Sequence, residues 1–317
     1  MKKKNKKIIA LILGLFCLAA SALGLTEPIE SWRELEAIME LVLSDDTDGA
    51  GTQAGQMEVH FIDVGQGDAT LILCGDEAML IDTGDNDKGT VVQNYLEKRG
   101  VQKLKYLILS HTDADHIGGA DVIITKFEVE NIFLSDFPKS SNAYRDMMEA
   151  MENRRYTFST PEPGSTYSLG SAEFTILAPG REYEDPNNAS IALLLENGRD
   201  SFLFTGDGEE EAELDILATG LSIDCDVFKA GHHGSRTSNS EAFLKAADPD
   251  CVVISCGEEN SYGHPHAGPM NSFRMAGVKV YRTDEQGSVV AVSSGDGITW
   301  NTPPSDTWKA GEPKGTN

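Results

Sequence analysis

The sequence has 317 residues, of which 51 are acidic and 26 basic, and its formal net charge is −25 at pH 7. This length suits one large domain or two small ones. So acidic a chain repels nucleic acid and anionic lipid at long range, which argues against a passive nucleic-acid binder but less against an enzyme, because bound cations reverse the local field.

The first 25 residues have the features of an export segment. A lysine-rich head precedes an apolar run from Ile8 to Leu25, which contains the small-residue site Ala20-Ser21-Ala22. This order is typical of a signal peptide. An uncleaved membrane anchor is the alternative, because the run approaches the length that spans a bilayer. Either form predicts a protein that is secreted or anchored to the outer face of the cell membrane.

The remaining chain divides into three parts. In residues 26–56, apolar residues at helical spacing over 29–43 predict an amphipathic helix, and the acidic stretch over 44–56 is typical of a flexible linker. Residues 57–300 form the main domain. The tail over 301–317 is rich in Pro and Gly, and we expect it to be disordered.

Apolar runs of strand length alternate with helical patterns in the main domain. Short turns join the early strands and helices separate the later ones, which predicts an α/β (α+β) fold of mixed sheets covered by helices. The predicted helices cover residues 89–99, 117–126, 142–152, 209–219, 240–247 and 268–276. Four cysteines lie in or beside strand-like apolar runs, so we expect buried side chains rather than zinc ligands.

Polar clusters follow four of the predicted strands. "YLILS" leads into "HTDADH" (111–116), "SFLFT" into "GD" (206–207), "DVFKAG" into "HHGS" (232–235), and "VVISCG" into a loop that contains "GHPH" (263–266). The carboxyl ends of parallel strands lie on one rim of a sheet, where open α/β sheets bind their ligands. We therefore expect these clusters to converge.

The segment "HTDADH" offers four metal-ligating side chains, those of His111, Asp113, Asp115 and His116. Imidazole and carboxylate suit Zn²⁺, Mn²⁺ or Fe²⁺, and the mixture suits two neighbouring ions. In an extended loop, the first three would lie on one side. The alternative is a polar turn that caps a helix starting near Ile117, with Asp115 at the cap, but a cap needs one such residue rather than four.

The other clusters offer further candidates. Asp207 alone would be an ordinary helix N-cap, but together with the other clusters it becomes a candidate bridging carboxylate. His232 and His233 alternate along a strand end, so only one is expected to face a metal. We favour His233 as the ligand, and His232 would then either support the ligands without touching the metal or donate a hydrogen bond to the substrate. His264 and His266 suit binding a substrate oxyanion or general-acid chemistry. His264 is the better candidate, and His266 is equally consistent with a surface residue.

These motifs resemble those of the metallo-β-lactamase superfamily of metallohydrolases. "MLIDTG" (79–84), "TGD" (205–207) and "GHHGS" (231–235) match its landmarks in order. "DVGQGDATLI" (63–72), "TDADHIGG" and "YGHPH" are similar to the metallo-β-lactamase-like domain of the ComEC competence proteins, with phosphorylcholine esterases nearby. The resemblance implies a four-layer αββα fold, in which two mixed sheets lie between helices.

The resemblance also implies two divalent ions, Zn or Mn, and a set of protein ligands for each ion. The ligands would be Asp115, His116 and His233 at one ion, His111 and Asp113 at a second and weaker one, and Asp207 between them. Asp82 would orient a ligand, and Asp68 would lie near the site without an assigned role. Unlike many superfamily members, the chain has no histidine between His116 and His232, so Asn188 or Ser190 is expected in that space.

The implied activity is that of an exported metal-dependent hydrolase, with Asp115 and His264 as the catalytic residues. A metal-held water would be the nucleophile, and His264 would stabilise or protonate the departing oxygen. Ser235, Arg236 and Thr237 would either touch a phosphate or form a solvated loop.

Three functions compete. Analogy with the ComEC domain favours a phosphodiesterase acting on DNA, and an uptake role would then need a separate membrane channel partner. A surface phosphoester of the phosphorylcholine or teichoic-acid type is the alternative, and a choline substrate would need aromatic residues, for which Tyr183, Tyr262 and Trp300 are candidates. The third is a non-catalytic binding module.

Overall fold

The structure, a computed structural model, describes residue 52 and residues 55–312. The predictions for the export segment, for the helix over 29–43 and for most of the linker lie outside these residues. Among the residues that are described, no helix is long and apolar enough to cross a bilayer.

The first half of the domain begins with a strand meander and continues as alternating strands and helices. Its elements are β1 (Met57–Phe61), β2 (Thr70–Cys74), β3 (Glu77–Ile81), α1 (Gly89–Lys98), β4 (Lys103–Leu109), α2 (Ala114–Ile117), α3 (Ala120–Lys126), β5 (Glu128–Leu134), α4 (Asn142–Arg154) and β6 (Phe158–Ser159).

The second half repeats this plan and ends on two further strands. Its elements are β7 (Thr166–Leu169), β8 (Ala172–Ala178), β9 (Ala192–Asn197), β10 (Asp200–Phe204), α5 (Glu210–Thr219), β11 (Val227–Lys229), a 3₁₀ turn (Gly231–Gly234), α6 (Glu241–Ala247), β12 (Cys251–Ile254), α7 (Ala267–Ala276), β13 (Lys279–Arg282), α8 (Thr283–Gln286), β14 (Val289–Ser293) and β15 (Ile298–Trp300).

The described strands form two mixed sheets. The first has the order β15-β14-β1-β2-β3-β4-β5-β6 and the second β13-β12-β11-β10-β9-β8-β7. In the first, pairing is antiparallel from β15 to β3 and parallel from β3 to β6. In the second, pairing is antiparallel from β7 to β10 and parallel from β10 to β13. Each sheet therefore has one parallel half, and its strand ends lie on a single rim.

Alternation along the strands produces three hydrophobic layers, because successive side chains of a strand point to opposite faces. The middle layer joins the two sheets and includes Phe61, Ile72, Phe174, Leu193 and Phe202. The first outer layer packs sheet residues such as Leu71 and Leu80 against Val92, Ile123 and Met147 of the helices. The second packs Leu203 and Phe228 against Ile216, Phe243 and Phe273. The order of layers is helix, sheet, sheet, helix, and the predicted αββα architecture is confirmed.

Two of the helix predictions illustrate what local sequence can decide. Ser141 and Ser240 lie directly before α4 and α6, and each side-chain hydroxyl accepts a hydrogen bond from the first turn, as N-caps do.

The four described cysteines are buried and unpaired, as expected from their apolar settings. The short elements β6, β7, β15 and α8 were not predicted, because two to four residues carry too little periodicity.

The predicted helix over 117–126 is wrong at its start. Two helices, α2 and α3, replace it, and they meet at Gly118 and Gly119. A Cβ atom on Gly119 would lie 2.5 Å from the carbonyl oxygen of Thr83, and one on Gly118 would lie 2.3 Å from the backbone nitrogen of Asn86. The helix pair therefore packs directly on the loop after β3, and α2 begins inside the "HTDADH" segment.

Residues 301–312 differ from the predicted disordered tail, because they lie against the domain. The backbone N–H of Ser305 donates to the carbonyl of Val280 (2.8 Å), and that of Gly311 to the carbonyl of Pro265 (2.8 Å). The guanidinium of Arg282 donates to the carbonyl of Lys309 (2.5 Å), and Trp308 packs on the second outer layer. Composition does not reveal these contacts, since most use backbone groups that every residue carries.

Candidate metal centre

The candidate centre lies where parallel strands of both sheets end. His111 follows β4, Asp207 follows β10, and His232 and His233 follow β11. Asp82 follows β3 and adopts a left-handed backbone (φ 58°), which turns the chain away from the sheet. The structure thus brings side chains that are far apart in sequence to one place.

Four of the predicted ligands form a tight group, namely Asp115, His116, Asp207 and His233. One ligand atom from each lies within 4.8 Å of the others. The Oδ2 atom of Asp207 is 3.3 Å from Nε2 of His116 and 3.5 Å from Nε2 of His233. Nε2 of His233 is also 3.3 Å from Oδ2 of Asp115. The carboxylate of Asp207 is therefore central to the group.

The donor atoms of this group fit a divalent cation. Nε2 of His111, His116 and His233 and Oδ1 of Asp207 are buried and have no hydrogen-bond partner among the described residues. Buried polar atoms normally have partners. A cation would satisfy several of these lone pairs together, and imidazole with carboxylate is a donor set that zinc and manganese accept.

The electrostatics of the centre also favour positive charge. Burial opposes protonation of His116, yet the carboxylates of Asp207 and Asp82 override it and hold its pKa well above the usual value. For His233, Asp207 and Asp68 overcome the same burial effect and raise the pKa to about 10. Burial raises the pKa of Asp207, but His116 and His233 outweigh it and hold that pKa well below the usual value. Surroundings that stabilise charge on two buried imidazoles also stabilise a bound cation.

Asp82 orients one of these imidazoles. Its carboxylate accepts hydrogen bonds from the backbone N–H of Ser110 (2.7 Å), from the Ser110 hydroxyl (2.7 Å) and from Nδ1 of His116 (2.8 Å). Because Nδ1 of His116 donates to this carboxylate, Nε2, which lies beside Asp207, is the nitrogen left to bind a cation. This contact is the one that an orienting residue would make.

Replacing Asp82 by asparagine is expected to weaken metal binding by about 10- to 100-fold, because an amide holds the His116 tautomer less firmly than a carboxylate. The measurement is calorimetric titration of the metal-free protein with Zn²⁺ or Mn²⁺. Asp200→Asn is the matched control, since Asp200 is also buried but accepts hydrogen bonds from Ser293, Gly295 and Gly297. Unchanged affinity in Asp82→Asn would contradict the orienting role.

The histidine pair after β11 differs from the prediction. His232 and His233 lie in the 3₁₀ turn with left-handed backbones (φ 49° and 54°), not in an extended strand. Consequently both rings face Asp207, with Nε2 of His232 at 3.6 Å from Oδ2 and Nε2 of His233 at 3.5 Å. The expectation that only one could face the centre is wrong. The two differ in burial, since the His233 side chain is 1% exposed and that of His232 is 21% exposed.

Asn239, which the sequence analysis did not single out, holds this turn. Its side-chain amide donates to the carbonyls of Gly231 (3.0 Å) and Ser235 (3.1 Å), and its Oδ1 accepts from the N–H of Gly231 (3.0 Å). The buried Glu213 accepts in turn from the backbone N–H of Asn239 (2.5 Å). These bonds stabilise the strained conformation that directs both imidazoles inward.

The structure separates His111 from Asp113. His111 is buried with Nε2 3.9 Å from Oδ2 of Asp207, whereas the Asp113 carboxylate forms an ion pair with Lys139. The "HTDADH" segment is not extended, because α2 begins at Ala114 with Asp113 at the N-cap position. Asp115 therefore falls in the first turn, and the alternative that placed it at the cap is also wrong.

Asn188 and Ser190 hold the turn that carries Asp207. The Ser190 hydroxyl accepts a hydrogen bond from the backbone N–H of Asp207 (3.1 Å). The Asn188 side chain accepts from the N–H of Glu209 (3.0 Å) and donates to Glu211 (3.2 Å). The contacts of both side chains are thus with this turn and the start of α5.

The "GSRT" segment lies on the rim of the centre. Ser235 is buried, and its hydroxyl bonds to that of Thr237 (3.1 Å). Arg236 is exposed, and its guanidinium has no ion pair or hydrogen bond within the described part of the chain. Its backbone N–H donates to Nδ1 of His266 (3.0 Å), which joins this segment to the "GHPH" loop. Among these residues, Arg236 is the one whose charge faces solvent unpaired.

His264 lies against the histidine pair as a neutral imidazole. Its ring centroid is 5.4 Å from that of His232 and 5.8 Å from that of His233. Burial, and then the positive charge of His233, lowers its pKa to about 3. Near neutral pH it has no extra proton to give, so its ring is suited to donating a hydrogen bond rather than to general-acid catalysis.

Gln66, in the "GQGD" loop, sets the tautomer of His264. The Gly257 N–H donates to its Oε1 (3.3 Å), so its amide nitrogen is free to donate to Nδ1 of His264 (3.4 Å). The hydrogen of the neutral ring then lies on Nε2. Gln66 was not predicted as a site residue, although it lies in one of the motifs that carry the family resemblance.

A buried lysine, Lys229, completes the support of His233. Its ammonium donates to Oδ2 of Asp68 (2.9 Å) and to the carbonyl of Ala230 (3.1 Å). Oδ1 of Asp68 lies 3.2 Å from Nδ1 of His233, which is also 3.0 Å from the carbonyl of Ser255. Asp68 therefore connects the lysine to the imidazole. Lys229 was not predicted as a site residue, because a lysine inside a strand carries no local signal of burial.

Comparison with known proteins identifies the family. The family model described as the metallo-beta-lactamase superfamily matches residues 62–258. ComE operon protein 3 of Bacillus subtilis is 30% identical over 253 residues, which cover 73% of this chain and 32% of that protein. Recombination protein 2 of Haemophilus influenzae is 34% identical over 238 residues, which cover 73% of this chain and 28% of that protein.

A third curated relative and a solved structure agree. Competence protein ComA of Neisseria gonorrhoeae is 31% identical over 230 residues, 72% of this chain and 31% of that protein. The chain thus spans about a third of the length of these curated relatives. The metallo-beta-lactamase fold protein YhfI of Bacillus subtilis superposes with a TM-score of 0.52 at 14% identity, covering 75% of this chain and 99% of that one. The chain belongs to the metallo-β-lactamase superfamily and has its metallohydrolase fold.

Proposed function

We propose that the chain is an exported, metal-dependent phosphodiesterase that acts on DNA. The observation that carries the proposal is the set of buried imidazole and carboxylate atoms around Asp207 that have no hydrogen-bond partner among the residues that the structure describes. The relatives that are named competence and recombination proteins support DNA as the substrate. The lysine-rich head and apolar run of residues 1–25 support export or anchoring at the outer face of the membrane.

Asp115, His116, His233 and Asp207 would hold one divalent ion, Zn or Mn. A second ion would bind between His111 and Asp207, and Asp113 would join it only by exchanging its ion pair with Lys139. Bound ions would lower the pKa of a water molecule toward neutrality, so that it could serve as the nucleophile. They would also offset negative charge on the phosphate. Because Lys139 competes for Asp113, the second position is expected to be weaker.

The protein's own residues then bind and orient the substrate. The Nε2–H of His264 would donate a hydrogen bond to the departing oxygen as charge develops on it. The exposed guanidinium of Arg236 would bind a phosphate oxygen at the rim. A membrane channel, if the activity serves DNA uptake, would be a separate partner.

The test is hydrolysis of single- and double-stranded DNA by the purified protein with Mn²⁺ or Zn²⁺, with EDTA as the metal-free control. We expect metal-dependent cleavage, and we expect Arg236→Gln to raise KM about tenfold, since a charged hydrogen bond contributes roughly 1.5–3 kcal/mol. Arg274→Gln, an exposed arginine on α7, is the matched control. Cleavage of phosphorylcholine or teichoic-acid esters without cleavage of DNA would overturn DNA as the substrate, and bound metal without any hydrolysis would indicate a binding module.

A further inference from the structure

Tyr262 is an exposed aromatic residue next to the metal centre. Tyr262 is 60% exposed, and few large apolar residues in the described part of the chain are as exposed. Its ring stacks on that of His264, with centroids 5.5 Å apart and planes 12° from parallel. The His264 ring lies 5.8 Å from the ring of His233. One imidazole therefore separates Tyr262 from a predicted metal ligand.

The loop that carries Tyr262 is held by hydrogen bonds at both ends. The Asn260 amide donates to the carbonyls of Gly257 (2.9 Å) and His264 (2.7 Å), and its Oδ1 accepts from the His264 N–H (3.0 Å). The Gly311 N–H donates to the carbonyl of Pro265 (2.8 Å). An aromatic ring that is presented on an ordered loop loses little freedom on binding, which favours recognition of a ligand.

The other two aromatic candidates lie elsewhere. Trp300 stacks on Tyr281, with centroids 3.8 Å apart. The Tyr183 hydroxyl donates to Asp215 (2.9 Å), and its ring packs under Arg181. Recognition of a quaternary ammonium group uses a cage of several aromatic faces. Of these three residues, Tyr262 alone stands at the centre, and a single exposed face suits stacking against one planar group.

We propose that Tyr262 determines specificity by stacking on a nucleobase next to the scissile phosphodiester, and so directs the site to unpaired DNA. This inference rests on the proposed phosphodiesterase function. Every base has a flat face, but in a duplex these faces are covered by neighbouring base pairs, so stacking selects single strands. The exposed Arg236, joined to the same loop through His266, would bind the flanking phosphate.

The experiment compares two oligonucleotides of equal length and charge, one of thymidylate and one of abasic tetrahydrofuran residues, both with phosphorothioate linkages to slow cleavage. Binding to the full chain is measured by fluorescence anisotropy in Mn²⁺. We expect the thymidylate strand to bind about tenfold more tightly, as one stacked base allows. Tyr262→Phe should keep this preference, and Tyr262→Ala should bind the two strands equally. Leu214→Ala, an exposed apolar residue on α5, is the control and should keep it.

Two results would overturn the inference. One is a preference for thymidylate that persists in Tyr262→Ala while its metal affinity is unchanged. The other is competition by glycerophosphocholine that is lost in Tyr262→Ala, which would assign the ring to a quaternary ammonium group. Failure of the proposed function is distinguishable, because it would appear as absent cleavage of phosphodiester-linked strands by the wild-type protein, whatever the binding preference.

Discussion

Asp207→Asn is expected to lower the rate of metal-dependent phosphodiester hydrolysis about 1,000-fold, since it removes both a ligand and the charge around which the centre is arranged. Nε2 atoms of four histidines lie 3.3–3.9 Å from its Oδ2 atom, namely those of His111, His116, His232 and His233. Asparagine keeps the shape of the side chain but not its charge. A lower hydrolysis rate in Asp207→Asn would therefore result from the missing negative charge and not from a cavity in the packing.

The measurement is the initial rate in Mn²⁺ together with the metal content after dialysis. Asp226→Asn is the matched control, because Asp226 precedes β11 at the end of the strand remote from the centre and bonds to Ser201. We expect the control to retain both activity and metal. An Asp207→Asn protein that hydrolyses substrate at the wild-type rate would show that the centre described above is not the catalytic one.

Lys229→Met is expected to cost about 3–5 kcal/mol of unfolding free energy, because it removes from a buried carboxylate the cation that stabilises its charge most. Lys229 and Asp68 are 4% and 7% exposed in their side chains and form an ion pair at 2.9 Å. Burial alone would raise the pKa of Asp68, but Lys229 and then His233 keep it below the usual value. Asp68 therefore remains charged inside the protein, and methionine offers no compensation.

The measurement is urea unfolding of the metal-free protein at neutral pH, for both single variants and for Lys229→Met combined with Asp68→Asn. The double variant should recover much of the loss, since neither charge is then left alone, and the four proteins form a double-mutant cycle. A double variant as unstable as the sum of the two single ones would contradict the pairing. Metal affinity should also fall in Lys229→Met, because Asp68 lies against Nδ1 of His233.

Much of the architecture follows from local patterns in the sequence. Apolar runs of strand length predicted the described strands other than β6, β7 and β15, and helical spacing predicted most of the helices. The main error, at residues 117–126, arose because the packing of Gly118 and Gly119 on the loop after β3 is a contact between distant segments. Periodicity records which face of an element is buried, but not what covers it.

The candidate centre shows the same difference between what local sequence patterns predict and what contacts between distant segments decide. The sequence by itself determined the donor chemistry, because imidazole and carboxylate side chains at strand ends specify the kind of ion that a shared rim can hold. Only the tertiary structure decided that Lys139 pairs with Asp113, that Lys229 supports Asp68 across 161 residues, and that both His232 and His233 face Asp207. These features depend on long-range contacts and on a left-handed turn, and neither leaves a signal in the spacing of neighbouring residues.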